Sequence, residues 1–227
     1  MATHTDPDQA TRTRLSRERV LRAAVGLADD QGIESVSMRK LAQELGVDPM
    51  SLYNHVANKE DLLDGMVDLV IGEIDPGPSD GDWKTVLRAR AMAARETLLR
   101  HRWATPVIES RAGASPVIMR HFEAVAGVLR DGGFSVDLMH HALHVLGSRM
   151  LGFTQELFDV TGPLAEGPEV LALTARRMAG EFPHLSEMLL QISHDEATVV
   201  GSGCDDQLEF AFALDLILDG LERLRDA

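Results

Sequence analysis

An all-α fold in two parts is the architecture the sequence predicts, and three observations carry it. Across 227 residues no stretch alternates Val, Ile or Thr with polar residues at a period of two, the pattern of a half-buried strand. Apolar residues instead recur three and four positions apart, in runs with Ser, Asp or Asn in front of them. Residues 75–82, DPGPSDGD, place two prolines and two glycines within eight positions, which no helix can cross. A head therefore precedes this break and a second helical unit follows it.

Hydrophobic residues make up 44% of the chain and aromatics only 4%, so the interior must be built mainly from Leu, Val, Ala and Met. Cys204 is the sole cysteine, which excludes an intramolecular disulfide and a cysteine-rich metal site and suits a reducing cytoplasm. No apolar run approaches the roughly 18 residues of a membrane span, and the polar N-terminus, with Asp6, lacks the form of a signal peptide. The expected location is cytoplasmic, with no membrane partner and no cofactor. The net charge of −14 is unevenly spread: residues 1–60 hold 8 Lys and Arg against 9 Asp and Glu, the remainder 14 against 27. The acidity belongs to the second part, where it keeps the chain soluble and holds that surface away from polyanions.

Residues 1–15 read as a flexible arm, in which Arg12 and Arg14 either brush phosphates or are simply solvated. Ser16 caps a helix over 17–30 that buries Val20, Leu21, Ala24, Leu27 and Ala28, and Gly32 is expected to end it in the left-handed conformation. Ile33 and Val36 staple the next helix, capped by Ser37. Residues 38–59, MRKLAQELGVDPMSLYNHVANK, then carry two short helical patterns separated by Gly46 and Val47. Leu41, Ala42, Leu45, Val47, Leu52 and Val56 turn inward. This is a helix-turn-helix, spanning about 37–56 within a head that covers 16–75. Asp48 as N-cap and Pro49 at the first helical position specify the second helix, 49–55, twice over. It exposes Ser51, Tyr53, Asn54 and His55, which donate hydrogen bonds or lie flat against a sugar-phosphate strand, the make-up of a recognition helix. Tyr53 as a core aromatic and His55 as a surface histidine are the plain alternatives. Asn58 caps a helix over 59–74, placing Lys59 at a helix N-terminus, where a phosphate is readily bound.

The second unit, 82–227, is expected to hold helices over 83–100, 103–110 and 116–129, a long one of about 24 residues from Val136, shorter ones near 169–179 and 185–192, and a last helix over 205–225. That last helix carries Phe210, Leu214, Ile217, Leu221 and Leu224 as one stripe, broadened by Leu208, Ala211, Phe212, Leu216 and Leu218 beyond what a one-sided helix needs. The helix from Val136 has a similar seam that includes Leu146. A homodimer is expected, its two-fold four-helix bundle built on Leu146, Phe210, Leu214, Ile217 and Leu221. The alternative is a larger core within one chain.

The run from Arg19 to Leu63 closely resembles the DNA-binding domain of the TetR (tetracycline-repressor) family. The resemblance lies in the ordered set Gly32, Arg39, Leu41, Ala42, Leu45, Gly46, Val47, Leu52, Tyr53, His55 and Lys59. Residues 82–225, with LLRHRWATPVI and RDGGFSVDLMHHALHVLG, resemble the family's C-terminal regulatory domain more loosely. The resemblance implies a homodimeric repressor of double-stranded operator DNA, released when a small organic effector fills a cavity in the second unit. It gives Arg39 the role of a base reader, which suits a guanidinium able to grip guanine O6 and N7 bidentately. It gives Ser37, Ser51, Tyr53, His55 and Lys59 contacts that fix register. Pro49, Met50 and Asn54 occupy recognition positions where this chain departs from the family's namesake, so a different operator is expected.

The cavity implied would be lined by Trp103, Met119, Phe122, Met150 and Phe153, with His140 and His144 as polar fixings. The alternative is a solid core. His140 and His144, at i and i+4, share a helix face and could also chelate a metal or simply sit at the surface; no carboxylate accompanies them at fitting spacing, so no metal is expected. An enzyme using this His cluster with Glu109, Glu123 or Glu156 is the rival from another class. No G-x-S-x-G, phosphate loop or H-E-x-x-H supports it. An activator, or a DNA binder without a ligand, stays open on the same fold.

Overall fold

The structure, a computed structural model, describes residues 14–78, 80–111, 113–152, 168–192 and 206–227. All the regular secondary structure among the described residues is helical, with no strand among them. They form two compact units, one of the chain up to Asp75 with Ala93–Glu123, the other of Pro76–Met92 with the chain from Ala124. The first boundary falls between Asp75 and Pro76, inside the Pro/Gly run, and Ala93–Glu123 then returns to the first unit. Residues 93–123 pack with the head because their polar side chains are bolted to it, as described below.

In the first unit, α1 (Arg17–Gln31) starts where the Ser16 hydroxyl accepts from the Arg19 N–H at 3.2 Å. It buries Val20, Leu21, Ala24, Val25, Leu27 and Ala28. Gly32 ends it with φ +81° but ψ 157°, so the positive φ is as expected while the conformation is extended, not left-handed helical. That extension feeds a short 3-10 turn, Ile33–Ser35, and drives Val36 fully into the core. Next come α2 (Met38–Leu45), α3 (Pro49–Leu52) and α4 (Lys59–Gly72). Gly65 lets α4 lie directly on α1, since a Cβ there would come within 2.7 Å of the Leu21 side chain.

The second half of α5 (Trp83–Arg100), α6 (Ala104–Glu109) and the first half of α7 (Pro116–Asp131) complete this unit. His101 is buried, its Nδ1 2.9 Å from an Asp29 oxygen and its Nε2 3.2 Å from Glu73, while the Trp103 indole N–H donates to Asp29 at 2.7 Å. Arg111 donates to the Glu60 carbonyl at 2.9 Å and pairs with Asp64, and Ser115 donates to Asp68. Each bond ties 93–123 to α1, to α4 or to Glu73 just after it, across more than 25 residues of sequence.

The second unit contains α8 (Val136–Gly152), α9 (Pro168–Met178), α10 (Pro183–Ile192) and α11 (Asp206–Arg225). The long helix from Val136 is seen to Gly152, and its expected continuation lies outside the described residues. Phe210, Leu214, Leu218 and Leu221 of α11 point inward and are buried. Ion pairs latch α11 to the start of α5: Arg88 grips Asp215 through Nε at 2.7 Å and Nη2 at 3.2 Å, and Lys84 meets Asp219 at 2.6 Å and Glu222 at 2.7 Å. The hydrogen bond to Asp219, then that to Glu222, raises the Lys84 ammonium to about 12. Trp83 packs edge-on against Phe134 at 4.7 Å, with Arg225 over its ring.

Candidate nucleic-acid interface

The motif begins at Ser37, whose hydroxyl accepts from the Lys40 N–H at 3.3 Å and so fixes the first turn of α2, where Arg39 stands exposed. Gly46 ends α2 in the left-handed conformation, φ +65° and ψ 37°, and the Val47 N–H returns to the Ala42 carbonyl at 3.0 Å. These bonds satisfy carbonyls a helix end would otherwise leave open and set the angle into α3. Asp48 then caps α3 from the front, its carboxylate accepting from the Met50 N–H at 2.8 Å, with Pro49 at the first position.

The recognition helix is shorter than the expected 49–55. It stops at Leu52, and the chain closes with Val56 N–H and His55 N–H both donating to the Leu52 carbonyl, at 3.0 and 2.8 Å. Arg17 is the physical reason. Its guanidinium donates to the His55 carbonyl at 2.8 Å while binding both oxygens of Asp61, at 2.6 and 3.0 Å. Asp61 in turn accepts from the Ala57 N–H at 2.7 Å. One carboxylate and one guanidinium thus clamp the end of α3 to the start of α4. No local pattern along the chain announces this pair, whose members are 44 residues apart.

Around this frame Ser37, Arg39, Pro49, Met50, Tyr53, Asn54 and Lys59 are all exposed, and Ser51 and His55 are half-buried. Met50 is 70% and Tyr53 45% exposed, so Tyr53 is not a core aromatic. Leu41, Leu52 and Val56 are fully buried on the opposite side. Asn58 accepts from the Asp61 N–H at 2.8 Å, leaving Lys59 on the first turn of α4.

The Arg17 hydrogen bond, followed by that from Ala57, draws the Asp61 carboxyl down to about 2 from its ordinary 3.8. A depressed carboxyl stabilises the fold fully above its ordinary value and loses that contribution as pH falls through the folded one. The clamp is therefore complete above about pH 4 and released on approach to pH 2. Asp61→Asn is expected to lower head stability at pH 7, with the deficit shrinking between pH 4 and pH 2. Urea denaturation of both proteins across that range is the check, and a deficit independent of pH would remove the charge from the explanation.

The other expected site residues are placed less simply. Trp103 is buried in the first unit, and its indole N–H donates to Asp29. Met119 and Phe122, on α7, are 57% and 42% exposed. His140 and His144, on α8, are exposed, with ring centroids 4.5 Å apart and edge-on. Met150 is half-buried, and Phe153 lies outside the described residues. Among the described residues no group of three or more His, Cys, Asp or Glu side chains is arranged to hold a metal ion.

Of the expected dimerisation residues, Phe210 and Leu214 are 1% and Leu221 5% exposed within a single chain, while Ile217 and Leu146 are half-buried. The large apolar side chains that α11 leaves exposed are Leu208 at 42%, Phe212 at 50% and Leu216 at 56%, on its opposite face, and Leu224 at 64% near its end. The i, i+4, i+8 spacing of the first three was readable, but the helix is apolar on so many sides that the sequence could not say which stripe faced inward.

Comparison with known proteins agrees with this geometry. Residues 20–66 match the family described as "Bacterial regulatory proteins, tetR family", and residues 75–225 match "Tetracyclin repressor-like, C-terminal domain". The chain is 32% identical over 230 residues to the HTH-type transcriptional repressor DrrR1 of Streptomyces coeruleorubidus, covering 96% of this chain and 81% of that protein. It is 30% identical to the tetracycline repressor protein class C of Escherichia coli, with 93% of each covered. The structure of the TetR family protein ActR from Streptomyces coelicolor in complex with (S)-DNPA superposes with a TM-score of 0.70 at 27% identity, over 92% of this chain and 98% of that one. With both halves of the chain matched, and the capped helix-turn-helix in the first of them, this chain belongs to the TetR family of DNA-binding transcriptional regulators.

Proposed function

We propose that the chain is a homodimeric repressor that holds an operator through α2 and α3 of each head and is released by a small organic effector bound in the second unit. The observation that carries the DNA-binding part is the pair of capped helices, rigid on the buried side through Leu41 and Leu52 and exposing Arg39, Met50, Tyr53 and Asn54 on the other. Arg39 reads a base; Ser37, Ser51, Tyr53, His55 and Lys59 set register on the backbone; Pro49, Met50 and Asn54 shape the sequence preference. Dimerisation runs through the exposed face of α11 centred on Phe212 and Leu216. Two heads are needed because each offers one short helix to one half-site.

The effector part is supported by the likeness to ActR, whose structure holds (S)-DNPA, and by DrrR1, described as a repressor. His140, His144 and Met150 of α8 are the contacts proposed for it. Such a ligand must favour the DNA-free form by about 1.4 kcal/mol for every tenfold loss of operator affinity.

Arg39→Ala is expected to weaken specific binding by about 1 to 3 kcal/mol and to relax preference at one base pair. Lys59→Ala is expected to weaken binding to all sequences alike and to flatten the salt dependence by about one unit. Binding isotherms at several salt concentrations, on a duplex selected from a random library and on its single-base variants, separate the two. Uniform loss for both variants would contradict the assignment of Arg39 as reader.

A further inference from the structure

The side chains that α3 and the turn after it present to solvent are Pro49, Met50, Tyr53 and Asn54, with Ser51 half-covered. None is Lys or Arg, so this element has no bidentate cation for guanine O6 and N7, and in the motif that chemistry falls to Arg39 on α2. Met50 is the most exposed of the large apolar side chains among the described residues, at 70%. A single exposed methionine means little on an ordinary surface. This one stands on the second residue of the recognition helix, where the Asp48 carboxylate holds its backbone N–H at 2.8 Å and so fixes the direction of its Cβ. Its fold gives it no packing role, and its side chain neither donates nor accepts a strong hydrogen bond.

Among the groups that base pairs display in the major groove, one is apolar: the C5 methyl of thymine. We propose that Met50 is a specificity-determining residue that reads thymine by packing its thioether end against that methyl group. The operator half-site then carries a T·A pair opposite α3, in addition to the pair read by Arg39. This rests on the proposal that α3 enters the major groove. The flexible side chain tolerates small offsets in the methyl position, so the discrimination is against loss of the methyl and not against a particular hydrogen-bond pattern.

Uracil isolates the claim, because it keeps every hydrogen-bonding group of thymine and lacks only the methyl. The full-length protein is first used to select a duplex from a random library. Each thymine of one half-site is then replaced singly by uracil and the binding constant measured. One position is expected to lose roughly fourfold, the worth of one buried methyl group. Met50→Ala is expected to abolish that difference between thymine and uracil, while Met50→Leu retains most of it. Because Met50 is so exposed, neither substitution should disturb the fold, and far-ultraviolet circular dichroism confirms this. Wild-type binding indifferent to uracil at every position overturns the proposal and leaves the DNA-binding reading intact, as does undiminished discrimination in Met50→Ala. Failure to enrich any duplex over random DNA overturns both.

Discussion

Phe212→Asp is expected to convert the dimer into a folded monomer that no longer distinguishes its operator from random DNA. The side chain is 50% exposed within one chain, so a carboxylate there is solvated in the monomer and costs the fold little. In the dimer it would be enclosed without a partner, at several kcal/mol. Leu214→Asp, two residues away, is expected to act differently: Leu214 is 1% exposed on the inner face of α11, and a charge there disrupts the second unit itself. Sedimentation combined with circular dichroism distinguishes them, the first variant being monomeric and helical, the second losing helix. A dimeric Phe212→Asp would place the interface on another surface.

The second large effect is expected at Leu52. With α3 only four residues long, its attachment to the head depends on this one fully buried side chain, since Met50 and Pro49 face solvent. Truncation of a buried leucine to alanine costs about 2 to 5 kcal/mol through lost transfer energy and the cavity left behind. Leu52→Ala is therefore expected to lower the denaturation midpoint substantially and to abolish specific binding before the protein unfolds, because the short helix loses its position first. If specific binding persisted at full strength in a destabilised protein, α3 would not be the element that reads DNA.

The parts of this fold that were legible in the sequence are those fixed by neighbours along the chain. Ser16, Ser37, Asp48 and Asn58 all cap as read, and Gly46 turns in the left-handed region, because a cap is a bond between residues two or three apart. The length of α3 is not legible locally, because Arg17 holds the chain beyond its end by reaching His55 across 38 residues. The bond from Trp103 to Asp29 was invisible along the chain for the same reason, its partner lying 74 residues away. On α11 the spacing of both stripes was visible, but which of them is buried depends on tertiary packing, accompanied by ion pairs of Lys84 and Arg88 with Asp215, Asp219 and Glu222 on α11. Exposed reading residues such as Arg39 and Met50 were found easily, since the helix that carries each of them announces its own start.

The central claim is that two heads of one dimer read two halves of one operator. Selection of duplexes from a random library by the intact protein, followed by sedimentation of the complex, tests it most directly. The expected result is an inverted repeat whose half-sites lie about one helical turn or more apart, bound by two protomers, with both halves lost together in Phe212→Asp. Enrichment of a single asymmetric site, bound equally well by one protomer, would contradict the account.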